Sequence, residues 1–244
     1  MKNYKITVEY DGTKYNGWQK QGNTKNTLQE KFENVISLMC EKETEIFASG
    51  RTDRGVHAKG QVANFKCDVD MSAEDVLTYL NRYLPEDVRV THIAEVDERF
   101  HSRLNAVSKT YEYLIATKKP DVFIRKYVYF PDEIPDVQKM RSAAEKLLGT
   151  HDFHGFSSVG KTKKSTVRTV NSIDVTEADG IIKATVNGSG FLYNMVRIMV
   201  GTLYEIGIGK KNESVIDEIF ESKSRENAGI TMPAEGLCLK EVFY

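Results

Sequence analysis

The segment "FLYNMVRIMVGTLYEIG", residues 191–207, sets the hardest condition on any fold for this chain. Leu192, Met195, Val196, Ile198, Met199, Val200, Leu203 and Ile206 cover most of the circumference of a helix beginning at Phe191. A helix that is apolar nearly all round is buried, so other elements must enclose it. Yet Arg197 lies in its middle. At about 100° per residue, Gly190, Asn194, Arg197, Gly201 and Tyr204 fall on one small or polar stripe, where something polar must approach. A buried guanidinium without a partner costs several kcal/mol, so Arg197 should be paired. Its partner is either a carboxylate serving architecture alone or one that does chemistry.

The remaining elements read from their periodicity. "YKITVEY" alternates as a strand, and "NTLQEKFENVISLMCEKE" puts Leu28, Phe32, Val35, Ile36 and Met39 on one helical face. "TEIFASG" and "GQVANFK" are strands. "MSAEDVLTYLNRYLP" is a helix with Ser72 as cap, Asp75 three residues on and Pro85 beyond its end, and "DVRVTHIAEVD" alternates again. A β-α-β-β-α-β order implies a ferredoxin-like unit, an antiparallel sheet with helices on one face. The second half repeats these ingredients: strands "SKTYEYLIAT" and "KYVYF", a helix from Asp136 to Leu148, strands "TVRTVNSIDV" and "GIIKATVNG", the apolar helix, a helix from Glu213 to Phe220 and the closing strand "LCLKEVFY". The expected architecture is α+β with mostly antiparallel strands. Two ferredoxin-like halves, 1–105 and 106–244, would enclose an active-site cleft.

"GRTDRGVHAKGQ", residues 50–61, sets Asp53 between Arg51 and Arg54, with Gly50, Gly55 and Gly60 supplying permissive backbone. A carboxylate held among fixed positive charge stays ionised, which suits a nucleophile or an electrostatic anchor better than a general acid. Pairing Arg197 with Asp53 would keep that aspartate charged against desolvation.

Composition narrows the setting. No run approaches the ~18 apolar residues of a membrane span, and "MKNYKITVEYDG" lacks the apolar core of a signal peptide, so a cytoplasmic protein is expected. Cys40, Cys67 and Cys238 are odd in number and far apart, which favours buried thiols over a disulfide framework or a zinc site. The net charge of -1 gives no global attraction to nucleic acid, so basic surface must be local. The candidates are Lys118, Lys119, Arg125 and Lys126 in one stretch, and Lys161, Lys163, Lys164 and Arg168 in another.

The blocks "YDGTKYNGWQKQ", "GRTDRGVHAKGQVANF", "KTYEYLI", "GTHDF", "FLYNMVRIMVGTL" and "MPAEGLCLKEVFY" occur in that order along nearly the whole chain. Together they resemble the tRNA pseudouridine synthase I family. The resemblance implies an isomerase without cofactor or metal that acts on uridines 38 to 40 of tRNA, in the anticodon stem-loop. It would break the N1–C1′ bond, rotate the uracil and rejoin it through C5. By the same resemblance Asp53 is the catalytic aspartate and Tyr111 packs on the target base. Arg197 pairs with the aspartate, Arg51 assists base flipping, and the enzyme is a homodimer.

The chemistry is coherent with these residues. A stacked uridine must be everted, at a cost of a few kcal/mol. Arg51 can fill the vacated space, and an aromatic face is worth roughly 1–3 kcal/mol to the flipped base. The carboxylate adds to C1′ or to C6, or removes a 2′ proton; the sequence leaves the three routes open. Two other readings are a non-catalytic RNA-binding module and a metal-dependent hydrolase built on Asp53, His57 and "HDFH", residues 151–154. The latter lacks a third ligand at fixed spacing. Trp18 either stacks RNA or packs under the first loop.

Overall fold

The computed structural model describes residues 1–160 and 162–244. Lys161, part of the second basic stretch, lies outside them. The strand alternation at the N-terminus becomes β1 (Lys2–Tyr10), followed by α1 (Leu28–Met39), β2 (Ile46–Ala48), β3 (His57–Cys67), α2 (Ala73–Tyr83) and β4 (Val88–Val96). β1 lies between β4 and β3, antiparallel to both, and β2 pairs antiparallel with β3. Order 4-1-3-2 with all neighbours antiparallel is the ferredoxin-like arrangement expected from the element order.

Tyr4, Ile6 and Val8 from β1 are fully buried, as are Leu28, Phe32 and Ile36 of α1 and Val76 and Leu80 of α2. Tyr4 stacks on Phe65 of β3 with ring centroids 5.5 Å apart. The start of α2 is fixed by the predicted capping box. Ser72 Oγ accepts from Asp75 N at 3.1 Å, and Asp75 Oδ2 accepts from Ser72 N at 3.3 Å.

The cysteine expectation is overturned. Cys40, at the C-terminal cap of α1, and Cys67, at the end of β3, form a disulfide with Cα atoms 6.0 Å apart. Helix and strand run in directions that bring their ends together, which the separation of 27 residues does not reveal. Cys238 is outside the bridge.

A second set of elements follows: β5 (Ser108–Ala116), α3 (Val137–Glu145), β6 (Gly149–Asp152), β7 (Val167–Ala178), β8 (Ile181–Gly188), α4 (Met195–Gly207), α5 (Val215–Ser222) and β9 (Leu237–Phe243). β8 stands between β5 and β7, antiparallel to both, with β6 on the far side of β7. Thus β5, β8 and β7 repeat the 1-3-2 order of β1, β3 and β2. The chain divides into two units, 1–107 with 239–244 and 108–238. The sequence partition gave all of 106–244 to the second half, whereas the last strand returns to the first: Val107 N donates to Phe243 O at 2.8 Å.

Two further elements differ from expectation. "KYVYF" is not a strand; only Tyr129 makes an isolated bridge, to Ile115. Asp121 Oδ1 instead accepts from the amides of Phe123 and Ile124, folding the preceding residues into turns. The apolar helix begins at Met195 rather than Phe191, because Asn194 adopts a left-handed conformation with φ 60°.

Candidate active site

The loop bearing Asp53 is clamped from both sides within the first unit. Gln61, fully buried on β3, accepts from Ser49 Oγ at 2.8 Å and donates through Nε2 to Gly50 O at 2.9 Å. On the other side Trp18 N donates to Thr52 O at 3.0 Å, and the Tyr10 and Thr52 hydroxyls lie 2.8 Å apart. Val56 N closes a turn on Asp53 O at 3.1 Å, with Gly55 at φ 80° in the left-handed region that glycine tolerates. A Cβ on Gly17, itself at φ 86°, would stand 2.7 Å from Thr52 O. The glycines here therefore serve tight turns and close approach, where the sequence suggested freedom.

Asp53 is half-buried in this loop, with Arg51 and Arg54 exposed beside it and Thr52 buried. His57 is buried, and its Nδ1 accepts from Gly12 N at 3.0 Å. That bond occupies the Nδ1 lone pair, so the 3.3 Å approach of Asp11 Oδ1 to the same atom is proximity and not a charge-assisted bond. His57 thus ties the first loop to β3. Trp18 is buried and stacks on Phe32 at 5.7 Å, which settles it as packing under that loop.

In the second unit Tyr111 sits on β5 opposite Val186 of β8, 8% exposed, with the Phe191 ring edge-on at 5.3 Å. Two residues along the same face, Tyr113 is fully buried and its hydroxyl donates to Pro233 O at 2.7 Å. Burial, reinforced by the nearby Glu235 carboxylate and opposed by Arg197, pushes the Tyr113 phenol far above its ordinary range.

Arg197 is half-buried on α4. Its Nε donates to Met232 O at 2.6 Å and its Nη1 to Asn194 Oδ1 at 2.9 Å, both neutral acceptors. Part of the polar approach implied by the helix stripe is peptide backbone. Residues 228–233 form a strap across α4, in which Gly229 N donates to Thr202 Oγ1 at 2.9 Å and Met232 N to Arg197 O at 3.3 Å. A Cβ on Gly201 would stand 2.9 Å from Ile230 C, so only glycine admits the strap there. Arg225 holds its outer side through Nη2 to Thr231 Oγ1 at 3.1 Å.

Sequence reasoning missed Gln61, Tyr113 and this strap, and it placed Asn194 on the polar stripe without giving it a role. Its signal was that of a residue that tolerates the left-handed region ahead of a helix. The "HDFH" histidines bond backbone instead: His151 Nε2 lies 2.7 Å from Leu148 O, and His154 Nδ1 3.1 Å from Lys223 O. Among the described residues no three His, Cys, Asp or Glu side chains are grouped to share a metal ion. The Lys118–Lys126 stretch borders a shallow hollow of about 360 Å³ lined by Lys119, Arg125, Tyr129, Phe130 and Glu235. Phe123 beside it is 83% exposed.

The first unit thus presents a half-buried aspartate on an arginine-flanked loop beside an antiparallel sheet of ferredoxin-like order. The pattern of the family described as tRNA pseudouridine synthase matches residues 6–105 and 143–244, and the chain belongs to that family. It is 46% identical to tRNA pseudouridine synthase A 2 of Bacillus anthracis, over 99% of both chains. It is 45% identical to tRNA pseudouridine synthase A of Acetivibrio thermocellus, over 100% of both. A solved Cbf5-Nop10-Gar1 complex shares 14% identity at a TM-score of 0.36, covering 72% of this chain and 40% of that one. That likeness is too distant to bear on the site. Family membership sets aside the non-catalytic RNA-binding reading. Among the described residues no helix is long and apolar enough to cross a membrane.

Proposed function

We propose that this chain isomerises uridine to pseudouridine at positions 38–40 of tRNA in the cytoplasm, as a homodimer, with Asp53 as the nucleophile. The observation that carries the reading is the arginine-flanked "GRTD" loop, presented on a clamped backbone in a chain that matches the family over residues 6–105 and 143–244. Asp53 bonds to the everted nucleotide, and the N1–C1′ bond breaks with its electron pair passing to the uracil. The freed uracil turns so that C5 bonds to C1′ while the bond to the Asp53 carboxylate breaks and returns the free aspartate. Loss of the C5 proton then restores the ring. Arg197 pairs with Asp53 and keeps it ionised as water is excluded. Tyr111 packs against the base, its exposed margin rather than a whole face being offered. Arg51, exposed on the loop, occupies the space the nucleotide leaves and meets neighbouring phosphates.

The decisive experiment uses an anticodon stem-loop RNA tritiated at uracil C5. Tritium release is expected from the wild-type protein and lost with Asp53→Asn, while RNA binding persists because phosphate contacts carry most of the affinity. Release that continues in Asp53→Asn would remove Asp53 from the chemistry. Sedimentation at micromolar protein tests the homodimer, for which a sedimentation coefficient of a 27.7 kDa monomer would be the contrary result.

A further inference from the structure

The Arg197 guanidinium is gripped through both Nη1 and Nε, and the Nη1 grip is built at some cost to its surroundings. On the Nη1 side stands Asn194, at φ 60° and ψ 5°. An asparagine ahead of a helix ordinarily caps the first amides with its side chain, but here no such bond is made. The carboxamide is held at both ends instead, Oδ1 accepting from Arg197 Nη1 at 2.9 Å and Nδ2 donating to Ser158 Oγ at 3.0 Å. On the Nε side stands Met232 O at 2.6 Å, and the next carbonyl, Pro233 O, takes the Tyr113 hydroxyl at 2.7 Å.

Two acceptors on opposite flanks fix both the tilt and the rotation of a planar guanidinium. The Nη1–Nη2 end is the edge that takes a carboxylate through two parallel bonds, and it is the edge such a cradle aims. Residue choice at 194 is restricted in the same direction. Gly, Asn and Asp are the residues that enter the left-handed region readily. Glycine offers no acceptor, and aspartate would add a charge that competes for the arginine. Asparagine alone supplies a neutral acceptor for Arg197 together with a donor for Ser158.

We infer that Asn194 is a positioning residue for the isomerisation: its carboxamide and the Met232 carbonyl, the latter fixed by Tyr113 through Pro233, aim the guanidinium of Arg197. The inference rests on the proposed pairing of Arg197 with Asp53. Asn194→Gly tests it, because glycine keeps the left-handed backbone and removes only the side-chain bonds. By tritium release, kcat should fall roughly 10- to 100-fold, with KM for the RNA within about threefold of wild type, since a misaimed group costs rate more than binding. The acidic limb of the kcat profile should also move to higher pH, because a carboxylate less well held by its cation protonates sooner.

Asn194→Asp should fall at least as far, and Tyr113→Phe should fall less but with the same limb displacement. These two variants carry the test should Asn194→Gly fold poorly. Arg197→Met separates the layers of the reasoning. Wild-type kcat and acidic limb in Asn194→Gly beside an inactive Arg197→Met would overturn the cradle and leave the pairing intact. Full activity in both would overturn the pairing itself. A lowered melting temperature in Asn194→Gly with unchanged kinetics would assign the residue to architecture and overturn the inference.

Discussion

Gly229→Ala sets two tendencies of opposite sign against each other. Gly229 lies outside any helix with φ outside the left-handed region, where alanine restricts the unfolded chain and stabilises by roughly 0.4–1 kcal/mol. Against this, a Cβ at 229 would stand 2.5 Å from both Gly201 O and Thr202 N of α4, where ordinary contact begins at 3.4 Å. Strap or helix must yield by the difference, about 0.9 Å, and overpacking of that kind costs about 1–3 kcal/mol. The same movement would stretch the 2.9 Å bond from Gly229 N to Thr202 Oγ1 beyond hydrogen-bonding range. Thr202 Oγ1 keeps its own acceptor, Ile198 O, but the buried Gly229 amide loses its partner, for about 1–3 kcal/mol more. The penalties win, with a net loss centred at about 3 kcal/mol. In a chain of this length that lowers the melting temperature by roughly 6–12 °C. Circular dichroism melts and urea titration of the purified variant measure it, followed through both units since two transitions can appear. The displaced strap also carries Met232 O, so tritium release should slow. A variant melting at or above the wild type would refute the steric reasoning.

Burial alone would raise the Asp152 carboxyl, but Lys223, Thr166 and the His154 amide together hold it below the usual carboxylate range. Its contribution is therefore present above the unfolded value of 3.8 and lost as pH falls through the lower folded value. Because Lys223 is 57% exposed, the advantage of wild type over Asp152→Asn should be under about 1 kcal/mol at neutral pH, vanishing on acid titration; a gap that widens in acid would contradict the ion pair. Reducing Cys40–Cys67, which closes a loop across 27 residues, should lower stability by roughly 3–4 kcal/mol in the chain-entropy treatment. Identical melting curves with and without reductant would rule that out. Gln61→Leu removes the acceptor of Ser49 and the donor to Gly50, so tritium release should drop while RNA binding holds, and a rate equal to wild type would show the loop needs no such clamp.

The first unit was legible because its information is local. The alternation of Tyr4, Ile6 and Val8, the Leu28–Phe32–Ile36 face and the Ser72–Asp75 cap each encode an element without reference to the rest. What escaped was long-range or carried by backbone. The Cys40–Cys67 bond depends on where α1 and β3 end in space, and the return of residues 239–244 to the first unit depends on a pairing across more than a hundred residues. Arg197 was correctly read as needing partners. Two of them are a carbonyl and a carboxamide set by a strap whose sequence announces only Gly229 and Pro233. "KYVYF" carries an apolar pattern but meets β5 only at Tyr129, and the residues before it are folded into turns by Asp121.

The interlocking of the Gly17 loop with residues 52–54 has a bearing on how different RNAs fare. A platform with so little slack cannot reshape itself around its guest, so the deformation must be borne by the nucleic acid. Selectivity would then follow the ease with which a stem yields a nucleotide: a uridine beside a mismatch or a frayed end should turn over faster than the same uridine locked between strong pairs.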